Sequence, residues 1–73
     1  MKTELKKQIG ERLKESRKAA GYSQVRVAQI LNMTQQQYSR FENGLYELNY
    51  LQIIKLCKLY DITADYLFGL NQF

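Results

Sequence analysis

Gln35, Gln36, Ser39, Arg40 and Asn43 are the residues whose types and spacing point to chemistry. On a helix of about 100° per residue they share an arc of roughly 140°, while Tyr38 and Phe41 point the other way. Glutamine carries a donor beside an acceptor and matches N6 and N7 of adenine. The arginine fork matches O6 and N7 of guanine, and a helix fits the major groove of DNA. Such a face has the chemistry of base reading. The same residue types also make an ordinary solvated helix face, so on its own the arc leaves both readings open.

Other chemistry is poorly supplied. The chain has no histidine and one cysteine, Cys57, so neither an intramolecular disulfide nor an ordinary zinc ligand set is available. Cys57 reads as a small buried apolar residue. The carboxylates are scattered and no Gly-rich phosphate loop occurs, which removes most routes to nucleophilic, general-base or metal-assisted catalysis. The expectation is a protein that is not an enzyme and uses no cofactor and no metal.

Seventy-three residues bound the chain to one domain over residues 1–73, close to the size at which a single core barely outweighs chain entropy. With 45% hydrophobic and 25% charged residues it sits near the globular average, which argues against disorder. No apolar run approaches the roughly 20 residues of a membrane span, and no apolar stretch follows the first lysines as in a secretory signal. A cytoplasmic location without membrane attachment is expected. The net charge of +4 is uneven: residues 1–26 hold 8 basic and 3 acidic side chains, residues 27–73 hold 3 and 4. A basic half attracts phosphate backbones, although it also describes a solvated helix face.

The elements that must position the polar arc follow from caps and periodicity. The pattern predicts helix one from about Thr3, as N-cap, to Ala20, with Leu5, Ile9, Leu13, Ser16 and Ala20 on one face and Gly21 as stop. Helix two begins at the cap Ser23 and runs through Gln24 to about Leu31, turning Val27, Ala28 and Leu31 inward. Asn32 tolerates the left-handed backbone of a tight turn, and Met33 drops toward the core. Thr34 with Gln37 three residues on has capping-box spacing and opens helix three, which stops at Asn43-Gly44. Helix four runs from about Asn49 to Tyr60. Thr63 caps a last helix over Ala64 to about Phe68.

These elements occur in an order that resembles a known family. The stretch GYSQVRVAQILNMTQQQYSRFENG resembles the Cro/repressor, or Xre, class of helix-turn-helix proteins, through Gly21, Ser23-Gln24, Val27-Ala28, Met33-Thr34 and Glu42-Asn43-Gly44. The TQQ opening and ENG close look like those of lambdoid phage repressors. With RLKESRKAAG upstream and LQIIKLCKLYDITADYLFG downstream, the likeness covers about Gln8 to Gly69. It implies an all-α, five-helix, lambda-repressor-like DNA-binding domain with its motif at about residues 23–44. It further implies that Gln35, Gln36, Arg40 and, more weakly, Ser39 contact base edges, and that Gln24 holds a phosphate and braces Gln35. Arg17, Ser23 and Asn43 would hold phosphates, and Arg17 would also form a partly buried ion pair with Glu42. A phosphate contact carries no sequence information, so Gln24→Ala is expected to weaken all duplexes alike. Two departures stand out. Asn32 replaces the usual turn glycine, and the loop Leu45 to Asn49 carries Glu47 in place of basic residues and proline, which implies fewer backbone contacts there.

Helix four is apolar on more than one stripe: Leu51, Ile54 and Cys57 form one row, and Tyr50, Ile53, Leu56 and Leu59 another. Either the helix is buried on two sides, or part of the second row, with Leu45, Tyr46 or the apolar tail Leu70 and Phe73, meets a second copy, with Tyr46, Tyr50, Ile53, Leu70 and Phe73 as the candidate contacts. A homodimer would hold two recognition helices about 34 Å apart on a palindromic double-stranded DNA site, as a transcriptional repressor. The alternatives are the DNA-targeting domain of a longer regulator, and a protein-binding adaptor or antitoxin built on the same fold.

Overall fold

Short polar side chains decide where four of the five helices begin. Ser23, Thr34, Asn49 and Thr63 each hold an extended backbone and accept a hydrogen bond from the amide three residues on. At Thr34 and Asn49 the glutamine at that third position, Gln37 or Gln52, reaches back to the cap amide and closes a full capping box. The computed structural model describes residues 2–70, with side chains from Glu4 onward. Its helices are α1 (Lys2–Ala20), α2 (Gln24–Ile30), α3 (Gln35–Glu42), α4 (Tyr50–Tyr60) and α5 (Ala64–Phe68), and no strand occurs among the described residues. The all-α, five-helix, lambda-repressor-like fold expected from the sequence is therefore the fold observed.

The first helix departs from expectation at its start. Thr3 lies inside α1 and does not cap it, because Lys2 already has helical backbone; the run after Thr3 is rich in good helix formers that carry the helix past the threonine. The predicted stop at Gly21 holds, with φ 83°, and Asn32 takes the left-handed backbone expected of it at φ 59°; Asp61, just after α4, is left-handed as well at φ 54°.

Leu13, Val27, Ala28, Leu31, Tyr38, Phe41, Leu56, Tyr60 and Leu67 form the core. Leu5 and Ala20, expected on the inward face of α1, are exposed. At about 1.5 Å per residue α1 is roughly 28 Å long, and its buried positions, Gly10, Leu13, Ser16 and Arg17, lie along its middle. In α4, Leu56 and Tyr60 are buried and Ile53, Cys57 and Leu59 pack against the core, whereas Tyr50, Leu51 and Ile54 face outward. Among the described residues the helix is thus covered on one side only. Ile53, placed by the sequence among candidate copy-to-copy contacts, belongs to the core-packed side because it lies three residues before Leu56, one turn earlier. Phe73 lies outside the described residues.

Gly10 decides how closely α1 approaches α3. A Cβ there would stand 2.6 Å from the Phe41 carbonyl oxygen and closer still to that of Glu42. Gly44, at φ 74°, is pressed against the Lys7 backbone in the same way, with a Cβ 2.8 Å from its Cα. Both contacts clamp the carboxyl end of α3 to the first helix. That clamp sets the depth at which Glu42 enters the molecule.

Candidate nucleic-acid interface

The outward face of α3 starts from its amino end, where the capping box fixes the backbone and leaves the Gln35 and Gln36 side chains exposed. One turn on, Ser39 is half-buried and accepts a hydrogen bond from Asn43 Nδ2 at 3.2 Å. Arg40 is exposed and leans on the loop after α3: its Nη1 donates to the Tyr46 hydroxyl at 3.4 Å, and its guanidinium carbon sits 5.4 Å from the centre of that ring. Tyr46 is itself set edge-on against Phe41, with ring centres 6.3 Å apart. The structure therefore gives Tyr46 a place beside Arg40, a neighbour the sequence did not assign to it.

Behind this face lies a buried polar network. Arg17 Nε donates to Glu42 Oε2 at 2.7 Å and Arg17 Nη2 to Oε1 at 3.3 Å, while Nη1 donates to the Tyr22 carbonyl at 3.0 Å. The Glu42 side chain is 1% exposed and that of Arg17 11%. The pair expected from the family likeness is thus present, and it engages three of the five guanidinium N–H groups. Burial pushes the Glu42 carboxyl up, but hydrogen bonds from Arg17, with smaller contributions from Tyr38 and Gln24, outweigh it and hold the group below the usual carboxylate range. The Glu42 hydrogen bond in turn raises Arg17 above the ordinary arginine value.

The network continues outward. Gln24 Nε2 donates to Glu42 Oε1 at 2.9 Å, and Gln35 Nε2 donates to Gln24 Oε1 at 3.3 Å. The brace from Gln24 to Gln35 anticipated by the resemblance is therefore formed, and it is anchored on the buried carboxylate. Ser23 remains exposed, its hydroxyl oxygen taken by the Arg26 amide as helix cap.

Inward from Glu42, the hydroxyls of Tyr38 and Tyr60 hydrogen-bond at 2.7 Å. Burial raises both; Tyr60 is pushed up to about 12, and Tyr38 further, so neither ionises near neutrality. Sequence reasoning turned Tyr38 inward but gave its hydroxyl no partner. A usable signal was present, since a buried tyrosine needs one and Tyr60 is another tyrosine on an inward face. Arg12 was missed as well: its guanidinium reaches the Leu67 carbonyl at 3.5 Å and covers the end of α5.

The comparisons with known proteins agree with this architecture. The helix-turn-helix family profile matches residues 13–67. The chain is 36% identical over 64 residues, 88% of its length, to the HTH-type transcriptional regulator ImmR of Bacillus subtilis (strain 168), of which that match covers 50%. It is 40% identical over 59 residues, 81% of its length, to the SPbeta prophage-derived HTH-type transcriptional regulator YonR of the same strain, of which 55% is covered. The chain thus spans about half the length of these two relatives. With five helices in this order, capped α2 and α3 meeting at a left-handed Asn32, and a family match over most of its length, the chain belongs to the helix-turn-helix family, of the Xre type.

Proposed function

We propose that the protein binds double-stranded DNA in a sequence-specific manner and regulates transcription, as a repressor that occupies a palindromic operator in the form of a homodimer. The observation that carries this reading is the exposed face of α3, where Gln35, Gln36 and Arg40 project from a helix whose opposite side is locked into the core by Tyr38 and Phe41. In this reading residues 1–73 act as one DNA-binding domain with its motif at about 23–44. Gln35, Gln36, Arg40 and, more weakly, Ser39 contact base edges, and Ser23, Gln24, Asn43 and Arg17 contact phosphates. Arg17 is the weakest phosphate candidate, since Glu42 and Tyr22 already hold most of its guanidinium. The names of ImmR and YonR, both transcriptional regulators, support the same role. No catalysis is assigned, and a cytoplasmic location follows from the proposed target. Among the described residues no helix is long and apolar enough to cross a membrane.

The test is selection of bound duplexes from a random oligonucleotide pool, followed by affinity measurements across a salt series. An inverted repeat is expected, with affinity falling steeply as salt rises through release of counterions from neutralised phosphates. A pool that returns no common sequence defeats base reading. Affinity for a protein partner that scarcely responds to salt favours the adaptor alternative instead.

A further inference from the structure

The hydrogen bonds that run from Glu42 to Gln35 have a direction, and the direction is set by chemistry. A glutamine amide has nearly the same shape when its oxygen and nitrogen exchange places, so a free side chain presents either end. Glu42 removes that choice for Gln24. An ionised carboxylate only accepts, and Glu42 is held ionised at the end of α3 by Arg17. Gln24 must therefore turn its Nε2 to Glu42, as it does at 2.9 Å, which leaves its carbonyl oxygen pointing toward α3. That oxygen again only accepts. Gln35 must present Nε2 to it, as it does at 3.3 Å.

One N–H and the Oε1 of Gln35 remain for a ligand, in a fixed order. Adenine shows an acceptor, N7, beside a donor, the N6 amino group, and satisfies both. Guanine shows two acceptors, N7 and O6, so a fixed Gln35 sets Oε1 against O6. Turned over in place, Gln35 would only set Oε1 against N7 instead, but a Gln35 released from Gln24 can aim its amino group at O6 and swing Oε1 clear of the base, losing that penalty. Discrimination of this kind depends on blocking the wrong partner as much as on binding the right one.

We infer that Glu42, acting through Gln24, is a positioning residue that fixes the polarity of the Gln35 amide and so makes Gln35 select adenine over guanine. The inference rests on the proposed base reading by α3 and goes beyond the brace that the family likeness implied: it makes the buried ion pair a determinant of specificity, and Gln24 more than a phosphate contact.

The experiment uses the full chain and the duplex recovered by selection, with the base pair facing Gln35 identified as the one whose preference Gln35→Ala abolishes. Affinities are then measured for adenine and guanine at that position with Gln24→Met and Glu42→Gln. Both variants are expected to lower the adenine-to-guanine ratio there about fivefold or more, within what one bidentate contact commands. The preference at the base pair read by Arg40 should be unchanged. A lost phosphate contact cancels in the ratio, since it weakens all duplexes alike. If Gln35→Ala alters no preference, base reading itself fails. If Gln35→Ala abolishes the preference and Gln24→Met leaves it intact, base reading stands and the positioning role is overturned. Gln24 is half-buried at the surface, so Gln24→Met carries the test even where Glu42→Gln unfolds the protein. In DNA-free protein, the side-chain amide resonances of Gln35 should be distinct from those of exposed Gln36 and move toward them in Gln24→Met; resonances unmoved by that change overturn the relay.

Discussion

At the scale of single residues, two groups have consequences that can be measured. Arg40 is held against Tyr46 by a hydrogen bond and a cation–π contact, so its guanidinium is partly pre-ordered before any ligand arrives. Arg40→Ala is expected to cost on the order of 1–3 kcal/mol at the selected duplex and to relax the preference at one base pair, measured by titration against single-base variants. Equal losses on selected and random duplexes would make Arg40 a backbone contact. Glu42 predicts an acid limit to stability. Its folded carboxyl lies below the ordinary value near 4.3, so its contribution is complete above that pH and is lost as pH falls through the folded value. Thermal melts between pH 6 and 3 should show the native protein losing stability on acidification more steeply than Glu42→Gln. Parallel slopes would mean that the carboxylate is not preferentially stabilised in the folded state.

At the scale of elements, the contact between α1 and α3 decides where the carboxylate sits. Gly10→Ala sharpens the point because two effects oppose each other. Alanine favours an exposed helix interior by about 1 kcal/mol over glycine. Here the new methyl would collide with the backbone carbonyls of Phe41 and Glu42, which cannot turn aside, and overpacking of that kind typically costs about 1–3 kcal/mol. The net effect is expected to be destabilising, seen as a fall of several degrees in Tm for a chain of this size. A rise in Tm would show that the helices do not approach so closely. The elements themselves were legible from local chemistry: Ser23, Thr34, Asn49 and Thr63 are caps because their side chains satisfy amides three residues away, an interaction contained within each segment. The start of α1 was misjudged because Thr3 is a good cap by type, while the helix formers after it let the helix extend past it.

At the scale of the whole molecule, the proposed association falls on an apolar surface that includes Tyr50, 87% exposed, with Leu51 and Ile54 on the outward side of α4. The proposed homodimer predicts that Leu51→Lys with Ile54→Lys leaves the melting transition of the monomer in place but weakens binding to a two-half-site duplex more than to a single half-site. Equal effects on both would remove α4 from the interface. The polar face of α3, the inward Tyr38 and Phe41 and the fold class were determined by the sequence, because caps, helical periodicity and turn residues act over three to seven positions. The core-packed side of α4, the partnership of Arg40 with Tyr46, the Tyr38–Tyr60 hydroxyl pair and the bond from Gln24 to Glu42 that anchors the brace on Gln35 were decided only by tertiary structure. Each of the last three joins side chains six to twenty-two positions apart, and the length and direction of a hydrogen bond between them depend on how closely helices pack, which no local pattern specifies.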